Sequence, residues 1–172
     1  MKKYIYLAVL TVLLNSCLSI ASFDDFPRDS DKIDFKKYSK EFEEKSEPFW
    51  TTSTSNEYYF EIDLELDDQK LELLIKQVMR NDGYRIKISD LQKKFIIGKR
   101  GMRMNEWNSI IGVYYHQKEN VPGKKMSNSS MIKKRKIQIY VRCEITQDIT
   151  GGWSENRAKD LALDLKEVME NI

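Results

Sequence analysis

The sequence predicts an α+β domain in which an antiparallel sheet of about five strands packs, in two layers, on two amphipathic helices. Three observations lead there. Several segments alternate apolar and polar residues with the period of a strand that has one wet face. Two others carry apolar stripes at helical spacing. Glycine and asparagine-aspartate punctuation falls between them.

The elements follow in the order strand, helix, four strands, helix. In the first strand Tyr58, Phe60, Ile62, Leu64 and Leu66 alternate with Tyr59, Glu61, Asp63 and Glu65. Leu71, Leu74, Ile75, Val78 and Met79 then form one helical stripe, with Asp67 or Asp68 as N-cap and Gly83 as the left-handed residue that ends it. Tyr84, Ile86 and Ile88 begin a second strand, Ser89-Asp90 suits a turn, Phe95 to Gly98 opens a third, and Gly101 falls in a turn. Trp107, Ser109, Ile111, Val113 and Tyr115 alternate in a fourth strand. After it, Pro122-Gly123 and Ser127-Asn128-Ser129-Ser130 mark a long hairpin loop over 118–131. Ile137, Ile139, Val141, Cys143 and Ile145 define the fifth strand and turn the Cys143 thiol towards the core, where it is expected to be protonated and inert. Gly151-Gly152 and a cap at Ser154 lead into a last helix with Ala158, Leu161, Leu165, Val168 and Ile172 on one stripe. The polar side of the sheet, with Tyr59, Tyr114, Tyr140, Arg142 and His116, is expected to face water.

The N-terminus has a different character. Lys2 and Lys3 precede an apolar run of 11 residues from Tyr4 to Leu14, too short to span a bilayer, which needs about 20 helical residues. Leu14-Asn15-Ser16-Cys17 follows. This run resembles the lipobox of bacterial lipoproteins. The resemblance implies cleavage before Cys17, diacylation of its thiol and an N-terminus held in a membrane by lipid, the outer membrane if the organism is Gram-negative. The expected organisation is a signal peptide over 1–16, a lipidated tether over 17–56 and one domain over 57–172. Within the tether Asp34 can cap a short helix bearing Phe35, Tyr38 and Phe42, ended near Pro48, that docks on the domain. Gly83-Tyr84-Arg85-Ile86, the acidic turn near Asp90 and a strand ending in Gly98-Lys99-Arg100 are similar to the helix-grip domains of small Gram-negative envelope lipoproteins, such as those in the C subunit of the outer-membrane β-barrel assembly machine. That likeness supports fold and place.

No motif identifies a reaction. A single histidine cannot build a metal cluster, no Gly-x-Ser-x-Gly elbow is present, and Gly98-Lys99-Arg100-Gly101 fits no phosphate-loop fingerprint. No metal and no cofactor is expected. Glu61, Asp63 and Glu65 share a strand face with neighbours about 7 Å apart, a spacing that suits a carboxylate pair, although the polar half of an alternating strand explains them equally. A carboxylate-based hydrolase is therefore the less favoured reading.

Charge is more informative. The chain carries 29 basic and 27 acidic residues, but 14 basic and only three acidic ones lie between Gly83 and Lys136, whereas Asp24 to Glu72 has seven basic and 16 acidic. Lys124, Lys125, Lys133, Lys134, Arg135 and Lys136 are the candidate binding residues, for an envelope protein or an anionic lipid or glycan. An alternative is that this hairpin meets the acidic first strand and tether of the same chain. Nucleic acid is not expected for an exported chain. The expected role is a non-enzymatic envelope lipoprotein acting as a binding or assembly accessory, with a purely anchoring role as the alternative.

Overall fold

A computed structural model describes residues 21–45, 56–101, 108–118, 135–145 and 157–172. It is an α+β fold with a five-stranded antiparallel sheet and three helices. The described elements are α1 (Phe35–Lys45), β1 (Asn56–Leu64), α2 (Asp68–Asn81), β2 (Arg85–Asp90), β3 (Phe95–Arg100), β4 (Ser109–Gln117), β5 (Arg135–Ile145) and α3 (Arg157–Glu170). The strand order is β1-β5-β4-β3-β2, so β1 is inserted beside the last strand and forms one edge. Among the described residues every pair is antiparallel, and the only register shift lies between Ile86 and Ile88 on β2.

The helices follow from local chemistry. Asp67 caps α2, its Oδ1 accepting from the Lys70 amide at 2.8 Å. Gly83 ends the helix at φ 85°, where a Cβ would be strained. Leu71, Ile75, Val78 and Met79 of α2 pack with Leu161 and Leu165 of α3 over Phe60, Ile111, Val113, Ile139 and Val141 of the sheet. Cys143 lies in this core at 1% exposure, and burial pushes its thiol up to about 12. Ala162 and Met169 complete the buried face of α3, whereas Val168 and Ile172, expected on that stripe, are exposed. Met169 follows Leu165 by one turn, and this tilts the stripe away from Val168. Ser89-Asp90, read as a turn, belongs to β2. The turn comes after it, with Asp90 Oδ1 accepting from the Gln92 and Lys93 amides.

The expected wet face is not wet. Tyr59, Tyr114 and Tyr140 are 0%, 0% and 3% exposed, and they form a second buried cluster with Phe95, Ile97 and Ile110. Its cover is residues 21–44, the segment read as a tether. Two short 3-10 turns, Phe23–Asp25 and Ser30–Lys32, lead into α1, and Phe26, Phe35, Tyr38 and Phe42 pack down on the tyrosines. Asp34 Oδ1 accepts from the Lys37 amide at 3.0 Å, so the expected cap and docking helix are present. Docking of that helix converts two layers into three. The segment is pinned by polar contacts as well: Ser30 N–H donates to Lys93 O at 2.9 Å, and Tyr114 Oη donates to Pro27 O at 2.8 Å. Gly112 makes the seat, since a Cβ there would stand 2.9 Å from the Phe26 ring. Burying an aromatic side chain contributes about 1.5–3 kcal/mol, so the buried Phe26 and Phe35 make the strap part of the fold.

Deleting residues 21–45 is therefore expected to uncover Tyr59, Phe95, Ile110, Tyr114 and Tyr140. The truncated chain should bind an environment-sensitive hydrophobic dye and self-associate in sedimentation. A monomer with an unchanged melting midpoint would show instead that the segment is only a leash.

Candidate functional site

The acidic face of β1, the strongest candidate for carboxylate chemistry, is split by the fold. Asp63 and Glu65 are exposed, and Glu61 is enclosed between β1, β5 and the strap, with its side chain 6% exposed. A buried carboxylate needs donors on its oxygens, and Glu61 has them from four directions. Tyr59 Oη donates to Glu61 Oε1 at 2.7 Å and Ser39 Oγ at 2.8 Å. Gln138 Nε2 and Lys118 Nζ each lie 3.1 Å from the same oxygen. Lys136 Nζ stands 3.4 Å from Oε2. Burial by itself would raise the carboxyl pKa, but the hydrogen bonds from Tyr59, Ser39, Gln138 and Lys118 outweigh it and hold the group at about 2. Glu61 is thus an anion throughout the neutral range. The Tyr59 phenol is in turn pushed up, by burial first and then by the carboxylate it donates to. Neither group has the proton affinity of a general acid or base near neutrality.

Beside this network lies an open cleft of about 880 Å³ between the strap and the ends of β4 and β5. Ile33 and Phe35 line it together with His116, Lys118 and Gln138. His116, expected on an exposed face, is half-buried, and its ring stacks on Phe35 with centroids 5.4 Å apart. Lys118 Nζ bridges Glu61 and the strap's Glu43, 3.2 Å away. The rim mixes Lys32, Lys36 and Lys40 with Asp31 and Asp34, so the cleft has no single sign of charge.

Of the basic candidates, Lys124, Lys125, Lys133 and Lys134 lie outside the described residues, as does Cys17. Arg135 and Lys136 are described, and both turn towards acids of the same chain. Arg135 donates to Asp68 Oδ1 at 2.9 Å, to Gln117 Oε1 at 3.2 Å and to the Leu66 carbonyl. Lys136 pairs with Glu61. Ion pairing between the basic second half and the acidic first half is thus built into the fold at these positions. Among the described residues no group of histidine, cysteine and carboxylate side chains could hold a metal ion. Among them, too, no helix is long and apolar enough to cross a membrane.

A second carboxylate group, not singled out from the sequence, sits where α2 ends against α3. Asp82 is the C-cap of α2, where helix carbonyls disfavour an anion. Burial, followed by the charge and hydrogen bond of Asp164, raises Asp82 to about 6 despite the charge of Arg100. Burial and Asp164 also raise Asp160. The signal was present as Asp160 and Asp164 one turn apart on α3, but only the helix pair brings Asp82 to them.

A scan against protein-family models finds no match to the chain, and a search of curated proteins finds no match either.

Glu61 and Asp82 are shifted in opposite directions and so act on stability with opposite dependence on pH. Glu61 lies below its ordinary value of 4.5, so its contribution is complete above that pH and is lost as pH falls towards 2. The shift corresponds to about 3 kcal/mol. Glu61→Gln should lower the unfolding free energy by about 2–3 kcal/mol at neutral pH, and its stability should depend less steeply on pH below 4.5 than that of the parent. Asp82 lies above its ordinary value of 3.8, so its favourable protonated contribution is complete below that pH and is lost as pH rises through 6. Asp82→Asn should therefore be more stable than the parent above pH 6 and equal to it in acid, as thermal melts across that range will read.

Proposed function

We propose that the chain is a lipid-anchored envelope protein, held by a diacylated Cys17, whose domain acts without catalysis as a binding or assembly module. The observation that carries this reading is the course of the N-terminal segment. Phe23 and Phe26 of the strap, six and nine residues after Cys17, already pack on the sheet, and the strap stays on it through α1. Six residues reach at most about 21 Å. A lipid on Cys17 would therefore hold the folded domain close against a bilayer surface, with the anchor continuous with the strap. The first seventeen residues supply the matching chemistry: a basic start, a short apolar run and a cysteine after Leu14-Asn15-Ser16. The state of Glu61 supports the non-enzymatic part, because its oxygens are occupied by structural donors and it remains ionised.

Mass spectrometry of the protein extracted from membranes tests the anchor. The expected N-terminal peptide begins at Cys17 and carries acyl chains, and Cys17→Ala should abolish both processing and partition into detergent. An intact N-terminus, or a free Cys17 thiol in membrane-extracted protein, would overturn the reading.

A further inference from the structure

We infer that the open edge of β1 at residues 62–64, with Glu65 and Leu66 just past its end and the last turn of α3 beside it, is a docking groove for an extended basic segment of a partner protein, which adds to the sheet as another strand. The inference names the contact surface of the module proposed above and rests on that reading. β1 has β5 on one side and no strand on the other among the described residues. Its ladder with β5 runs from Asn56 to Leu64 without a register shift, and it contains no proline. The strap covers this strand as far as Glu61. Beyond that point Ile62 and Leu66 are half-buried, while Asp63 and Glu65 are exposed. An extended backbone with outward-facing amides and carbonyls is a template for strand addition.

The space beside that edge fits a side chain. Ile62, Leu64 and Leu66 line one wall of a groove of about 570 Å³, and Met169 and Ile172 line the other. Ile172 is 69% exposed, a large apolar side chain left at the lip. Strand addition places alternate partner residues on one face, so an aliphatic side chain would enter the groove and its neighbours would lie over the rim.

The rim selects the partner's charge. Asp63, Glu65 and Glu170 surround the groove. The last turn of α3 contains no basic residue, so the carbonyl end of the helix dipole adds to the negative field there. Lys166 Nζ lies 3.8 Å from Glu170 Oε1, one turn back on the same helix, and both side chains stay partly exposed. A second copy of the chain is a poor occupant, because edge-to-edge pairing would set two acidic rims against each other. A segment that alternates lysine or arginine with valine, isoleucine or leucine satisfies the backbone, the groove and the rim together.

The test is fluorescence anisotropy of a labelled peptide alternating valine and lysine, titrated with the full-length protein in detergent. Saturable binding that weakens with salt is expected. Asp63→Lys combined with Glu65→Lys should weaken it about tenfold or more. Ile172→Lys, at an exposed site that leaves the core intact, should do the same. Equal affinity for a peptide with its valines and lysines in separate blocks would mean attraction by charge alone and would overturn the proposal. So would unchanged binding by either variant, self-association of the parent lost on Asp63→Lys, or binding seen only once residues 119–134 are deleted. The anchor is read independently, by the mass of Cys17: acylated protein that ignores the peptide defeats the groove and leaves the anchor standing.

Discussion

Glu61 is a carboxylate enclosed where the strap, β1, β5 and the end of β4 converge, and its burial has to be compensated by donors from each of them. Tyr59, Ser39, Gln138 and Lys118 provide hydrogen bonds, and Lys136 adds its charge. Removing any one segment leaves part of an anion uncompensated in a dry environment, which costs more than the lost bond itself. This couples residues that are far apart in sequence. Ser39 is 22 residues from Glu61, and Gln138 is 77. The strap is consequently joined to the sheet at the same point that ties β1 to β5.

The aromatic contacts extend that coupling across the face. Tyr38 lies over Tyr140 with centroids 4.7 Å apart, and Phe42 meets Tyr59 edge-on at 5.7 Å. At the far end Arg142 covers the Phe26 ring at 5.3 Å and donates to Asp25 O. Phenols suit this interface because each buries a ring and still offers a hydroxyl to the strap. Tyr114 uses its hydroxyl on Pro27 O, and Tyr140 shares one with Tyr38. A sheet built this way is covered on both faces, so its free backbone is confined to the edges. That confinement singles out the two edge strands, β1 and β2.

The dipolar charge pattern along the chain has a tertiary use at several positions. Asp68 lies between Arg135 and Lys94, and Lys118 lies between Glu43 and Glu61. Asp63, Glu65 and Glu170, the last paired with Lys166 on α3, gather at one groove. Their accumulation there follows from β1 ending beside the C-terminus of α3, and neither element alone creates it.

By itself the sequence determined the element order, the buried face of α2, most of that of α3 and the inward turn of Cys143, because periods of two and 3.6 report which side of an element meets apolar neighbours. Asp34 and the Phe35, Tyr38 and Phe42 spacing were enough to predict a docking helix. The buried state of the second sheet face was also written there, in Phe95-Ile96-Ile97 and Ile110 to Tyr115, where alternation gives way to continuous apolar residues. Tyrosines disguised it, since a phenol is equally at home in water and beneath a cover. What only the tertiary structure decided was which acid among Glu61, Asp63 and Glu65 is enclosed. All three occupy the same face with the same spacing, and the difference between a fixed anion and an exposed rim is whether the strap passes overhead.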